Sequence, residues 1–242
     1  MDSARRTAIV TGASQGIGAG VVKGFVERGF NVVATSRKVT QSAEVAASDR
    51  VALVDGDISA PETAAKVVAT ALSRFKSIDA VVNNAGIFFT KPFTDYTVED
   101  FQSLIATNLA GFLHITQLAI KQMLAQKTGG SIVTITAALA RNPIRGVPAA
   151  VPMITKGGLE TITQHLAMEY SKEGIRVNAV APGVVYTPMH RDTPQAFMES
   201  LSPLGRPSTV EDIADAVMYL TDATTVTGHI LYVDGGAHFG KW

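Results

Sequence analysis

The chain has 242 residues, 46% of them apolar and 17% charged, enough to bury one sizeable core. Its 21 basic and 21 acidic residues cancel, so no global field draws it to nucleic acid or an anionic membrane, and a small-molecule substrate is the expected partner. The lack of cysteine excludes disulfides, thiolate metal sites and cysteine nucleophiles. The N-terminus has no hydrophobic signal core and no apolar run reaches the roughly 18–20 residues that span a bilayer, so a cytoplasmic protein is expected.

Short runs rich in Val and Ile occur at residues 7–12, 31–36, 50–57, 78–86, 130–136, 175–183 and 229–236. They are apolar throughout instead of alternating, which predicts parallel strands covered on both faces. Helical spacing falls between them, at residues 16–29, 61–75, 97–125, 152–171 and 209–222; in the first, Ile17, Val21 and Phe25 form one stripe. Pro61 suits a first helical position, and Ser208 with Glu211 fits a capping box. Strand and helix alternate along the whole length, so the expected fold is one α/β domain over residues 1–242, a Rossmann-type doubly wound sheet of seven parallel strands. Residues 183–207 carry four prolines and no regular period, which predicts a lid or substrate loop.

"TAIVTGASQGIGAG" sets Gly12, Gly16 and Gly18 between the first strand and the first helix. Glycine is needed there because the chain turns tightly and its backbone must approach a pyrophosphate, whose charge the helix N-terminus stabilises. The second strand ends in Ser36 and Arg37, where a carboxylate would select the ribose hydroxyl of NAD. Arg37, helped by Ser36 and Lys38, suits a 2′-phosphate, so NADP(H) is favoured; the uncharged Gln15 adds no second vote, and NAD(H) stays open.

With "TGASQGIG", "NNAG" at residues 83–86, "TNLAGFLHITQ", "RVNAVAPG" and "VTGHILYVDGG" in this order, nearly the whole chain resembles the classical short-chain dehydrogenases/reductases. That resemblance implies a dinucleotide held by Gly12, Ser14, Gln15, Gly16, Ile17, Gly18, Ser36 and Arg37, with Asp57 and Ile58 towards the adenine. It further implies that Asn84, Ala85 and Gly86 border the cofactor together with Pro182, Gly183, Val185 and Thr187, the last near the nicotinamide carboxamide. Lys156 would bind the nicotinamide ribose and Asn108 would be the family's helix asparagine. The resemblance also implies a homodimer or homotetramer built on the long helices and the C-terminal strand; Phe239 and Trp242 in the tail reach either a neighbouring subunit or their own.

In that family a tyrosine four residues before the lysine protonates the carbonyl as hydride arrives, and a serine orients the substrate; the spacing of four puts tyrosine and lysine on one helix face. Here Pro152 stands in place of the tyrosine and Ala137 in place of the serine, and residues 133–168 contain neither residue type. Pro152 fits the first turn of a helix, where its missing N–H breaks no bond. Losing a positioned acid forfeits about 10² to 10⁴ in rate. Other donors are Tyr186, placed first, His190, His114, Thr136, or a water held by Asn108 and Lys156. An iminium ion or an activated alkene needs no such donor, so the substrate is a small carbonyl, imine or activated alkene. The alternative is an inactive NADP(H)-binding sensor or scaffold.

Overall fold

Seven parallel strands form one sheet in the computed structural model, which describes residues 5–239. They are β1 (Thr7–Thr11), β2 (Asn31–Ser36), β3 (Val51–Asp55), β4 (Ala80–Asn83), β5 (Gly130–Ile135), β6 (Ile175–Pro182) and β7 (Ile230–Val233). Their spatial order is β3-β2-β1-β4-β5-β6-β7, so the direction of winding reverses between β1 and β4. A crevice opens at the carboxyl ends of the strands at such a reversal, which is where open α/β sheets take ligands.

Alternate residues of each strand feed two apolar layers. On one face Val10, Val32, Val82, Val133 and Val180 pack under α1 (Gly16–Glu27) and the C-terminal helix Val210–Asp222. On the other, Ile9, Val33, Val81, Ile132 and Val177 pack under α2 (Pro61–Phe75) and the helices that follow β4 and β5. This double coverage is why the strands read as apolar without a break.

The helix expected over residues 97–125 is observed as three continuous pieces: α3 (Val98–Leu104), a π-helical segment Ile105–Ala110, and α4 (Gly111–Gln126). By length and mean hydropathy this 29-residue stretch is apolar enough to cross a membrane, against the expectation from uninterrupted apolar runs; 44% of its most apolar window is buried inside the fold.

The next helix, α5 (Ala150–Glu169), starts two residues earlier than predicted and places Pro152 at its third position, still inside the first turn, where no intrahelical N–H bond is lost. A short helix, α6 (Gln195–Ser200), and a turn at Pro188–His190 give order to the predicted lid. The last helix, α7 (Val210–Asp222), is capped by Thr209 and Asp212 instead of Ser208 and Glu211. Ser208 is otherwise engaged: its backbone pairs with Val184 and Tyr186 and its hydroxyl donates to Val233 O. Trp242 lies outside the described residues, while Phe239 is largely exposed with its ring beside that of His238.

Candidate active site

At the exit of β1 the chain turns through Gly12 at φ +62° and enters α1 through Gly16 at φ +57°. A side chain on Gly12 would press to 2.8 Å from the Ala85 backbone, and one on Gly18 would collide with the Gly12 carbonyl, so both positions need glycine for packing as well as for ligand approach. Thr11 locks the turn to the end of β4. Its hydroxyl accepts the amides of Asn84 (3.1 Å) and Ala85 (3.0 Å), while the Asn84 side-chain amide donates to Thr11 O and Gly12 O, both at 3.0 Å. Sequence reasoning passed over Thr11, although a hydroxyl residue beside the first glycine was the available signal.

The floor of the crevice is built around Asn108. It is buried within the π-helical segment, a local widening that recurs at functional sites. Its oxygen accepts Ile87 N at 2.8 Å, and its amide donates to Ile87 O (3.1 Å) and to the Thr155 hydroxyl (3.0 Å). Thr155 in turn donates to Pro152 O at 2.7 Å, so one chain of bonds runs from the β4 exit to the first turn of α5. Lys156, the next residue, donates to Ile135 O at 2.8 Å. Burial of its ammonium lowers its pKa to about 8. Gly86 sits over both groups: a methyl there would be 3.3 Å from Asn108 Oδ1 and 3.5 Å from Lys156 Nζ. Gly86, Asn108 and Lys156 are thus brought together.

Beneath them a small enclosed cavity is lined by Thr11, Ile58, Asn83, Asn108 and Thr134 among others. Asn83 Oδ1 and Thr134 Oγ1 are buried there without a partner. Ile58 is buried and its side chain packs on Gly111, at the end of the π segment. Asn83 ties β4 to α4 through the Thr116 hydroxyl at 3.0 Å.

At the adenosine end, Ser36 has a buried hydroxyl without a partner, and Arg37 is exposed beside it. Asp57 accepts the amide and hydroxyl of Ser59 at 2.9 and 2.7 Å, which holds its carboxyl below the usual range, with the nearby Arg37 adding to the effect. Ser14 O accepts the Ser42 hydroxyl at 2.6 Å, Gln15 is exposed with no capping bond, and Ile17 leans on the core. A helix N-terminus whose Gly16 amide meets only the Glu44 carboxylate, side-chain-free glycines and, among the described residues, an unpartnered Ser36 hydroxyl beside the Arg37 guanidinium together fit an NAD(P) dinucleotide.

The lid base closes the other wall. Pro182 ends β6, Gly183 presses on Asp234, and Thr187 with Pro188 stands against Gly16. Val185 is buried in the core, so only its backbone faces outward. Among the described residues none of the donor candidates is hydrogen-bonded to Lys156. Tyr186 is 40% exposed and lines a separate depression with Gly16, Gly20, Lys23, Glu44, Val210 and Glu211. Thr136 is buried and gives its hydroxyl to Val180 O at 3.2 Å, with Glu160 also near at 3.4 Å. His190 is pushed towards the neutral form by burial, and His114 is part-buried on α4 outside both pockets. Ala137 is extended at the β5 exit.

Two further clusters were invisible in the sequence because their members are far apart or belong to the tail. Fully buried Glu160 accepts Arg141 Nε at 2.8 Å. His238, stacked on Tyr232 with ring centres 4.0 Å apart, has Nδ1 2.9 Å from buried Asp234.

The sequence profile described as Enoyl-(Acyl carrier protein) reductase matches residues 12–238. An L-rhamnose 1-dehydrogenase (NAD(P)(+)) from Sphingomonas sp. (strain SKA58) is 36% identical, over 96% of both chains. A glucose 1-dehydrogenase from Gluconobacter oxydans is 33% identical, over 96% of this chain and 92% of that one. Among solved structures, ElxO with NADP bound superposes with a TM-score of 0.88 at 26% identity, covering 98% of this chain and all (100%) of that one. A 3-ketoacyl-(acyl-carrier-protein) reductase from Brucella melitensis complexed with NADH gives 0.88 at 29% identity, over 96% and 98% of the two chains.

Proposed function

The chain belongs to the short-chain dehydrogenase/reductase family, and from that premise we propose that it is an NADP(H)-dependent oxidoreductase transferring hydride to or from a small carbonyl, imine or activated alkene. Bound NADP(H) supplies or accepts the hydride. The observation that carries this reading is the meeting of Gly86, Asn108 and Lys156 beside a glycine turn shaped for a pyrophosphate, with Pro152 and Ala137 where a hydroxyl acid and its helper would stand.

Each residue then has a task. The α1 N-terminus and glycine turn would seat the pyrophosphate, Ser36 and Arg37 would take the 2′-phosphate, and Asn84, Ala85, Gly86, Gly183 and Thr187 would hold the nicotinamide half. Lys156, held by Ile135 O, presents its ammonium to the nicotinamide ribose, and Asn108 fixes the floor beneath. Protonation falls to water reaching Lys156 and Asn108, because Thr136 is engaged and Tyr186 lines the depression beyond Gly16. A substrate that needs no proton on oxygen suits this site best.

The test is direct: NADPH binding by nicotinamide fluorescence, then NADPH oxidation across matched ketones, iminium ions and activated alkenes. Turnover of imines or alkenes at least about tenfold above ketones supports the reading. Efficient ketone reduction with imines and alkenes untouched overturns the preference for a substrate that needs no proton on oxygen. Tight NADPH binding with no oxidation of any class favours the second reading, a non-catalytic NADP(H) sensor or scaffold, which the missing hydroxyls also support. Turnover unchanged in Tyr186→Phe removes that tyrosine as donor.

A further inference from the structure

The segment joining β2 to β3 contains no long helix; after a single turn at Val39–Gln41 it runs as a loop back to β3. That loop is pinned at two points. The Ser42 hydroxyl donates to Ser14 O at 2.6 Å and accepts the amides of Glu44 and Val45, both at 3.0 Å, while Val45 is buried in the core under α1. The residue held between these pins is Glu44, and its carboxylate accepts the Gly16 N–H at 3.1 Å. Gly16 is the first residue of α1, a helix with no acidic residue in its own first turn and no side-chain bond from its N-cap. Among the described residues Glu44 forms no ion pair, so its charge is spent on the amide that opens α1.

We infer that Glu44 is an affinity- and specificity-determining residue: an internal carboxylate that holds the α1 amide against the dinucleotide and penalises NADP(H) more than NAD(H). The inference rests on the proposed cofactor site and goes beyond it. The Glu44 carboxylate occupies the Gly16 amide, so a phosphate approaching that amide must displace the carboxylate or sit beside it on the neighbouring amides. Glu44 is exposed, so its repulsion of a nearby phosphate is screened by salt but not abolished, and the extra 2′-phosphate of NADP adds to the anion that Glu44 opposes. Arg37 then works in the opposite sense, attracting the same phosphate from the end of β2. Selection between the two dinucleotides is a balance between one cation and one carboxylate that lie seven positions apart in the chain.

Glu44→Gln keeps the shape and removes the charge; Glu44→Ala removes both; Ser42→Ala loosens the pin and leaves the charge. Dissociation constants for NADPH and NADH, measured by fluorescence titration and calorimetry at low and high salt, read the effect without any turnover. The expected result is tightening in Glu44→Gln by about tenfold for NADPH and less for NADH, shrinking as salt is raised, with a smaller gain in Ser42→Ala. Circular dichroism and thermal melting verify that the variants are folded. Unchanged or weaker binding in Glu44→Gln, with the unaltered protein binding NADPH, overturns the inference alone. Absence of NADPH and NADH binding in the unaltered protein and in every folded variant overturns the cofactor site with it.

Discussion

Lys156 donates a hydrogen bond to a backbone carbonyl while burial draws its pKa down to about 8, so its charge is lost within an accessible range. If the ammonium holds the dinucleotide, NADPH affinity measured from pH 7 to 9.5 falls above about pH 8 in the unaltered protein and stays flat, and weaker, in Lys156→Met. The same shift has a consequence for folding. Between about pH 8 and the ordinary lysine value the unfolded chain binds more protons than the native one, so stability rises with pH across that window and the rise disappears in Lys156→Met. The glycine turn was legible in the sequence as a short motif between strand and helix, while Asn108 and Lys156 were singled out only through the family resemblance. Thr155 and Glu44 were not, since each acts through a partner remote in the chain, Asn108 at 47 positions and Gly16 at 28. Tyr186 was chosen by residue type on a loop, and the sequence held no sign that its side chain lines the depression shared by Gly16 and Glu44.

On α5, spacing does the selecting. Residues four apart share a helix face, which places residue 152 over Lys156, and the first turn leaves the N–H of residue 152 without an intrahelical acceptor. Proline there is compatible with the helix, and replacing it restores no backbone bond and breaks none. The double variant Ala137→Ser with Pro152→Tyr is expected to raise ketone reduction, read as kcat/KM, by about 10² or more while leaving the NADPH dissociation constant within about twofold. A folded double variant that binds NADPH and gains nothing locates the shortfall elsewhere in the site. Helix existence was readable from periodicity, whereas ends and internal irregularities were not: the π segment that buries Asn108 keeps an apolar pattern close to that of a regular helix. The cap on α7 moved by one residue for a similar reason. Ser208 and Thr209 carry equivalent chemistry, and the pairing of residue 208 with Val184 decided between them.

Across the whole molecule, a doubly wound parallel sheet was implied by unbroken apolar strands alternating with helices, while the strand order that sets the reversal between β1 and β4 came from the structure. Oligomer formation belongs to this scale. Leu113 and Leu124 on α4 and Ile154 and Met168 on α5 are exposed apolar side chains on helices that cover the same face. We propose that these faces pair in a homodimer or homotetramer. Light scattering is expected to report more than one copy, and Leu113→Glu with Met168→Glu to reduce the mass to that of a single chain. The β2–β3 segment sets a different property. Every other crossover between neighbouring strands stacks a helix of at least 12 residues on the sheet, whereas this one rests on Val39 and Val45 and a few polar pins. Deuterium should therefore enter the amides of residues 39–50 first, long before those of β1 or β4, through openings that leave the remainder intact. Adding NADPH should slow labelling there more than anywhere else, so that the thinnest part of the protein becomes its most sensitive reporter of loading.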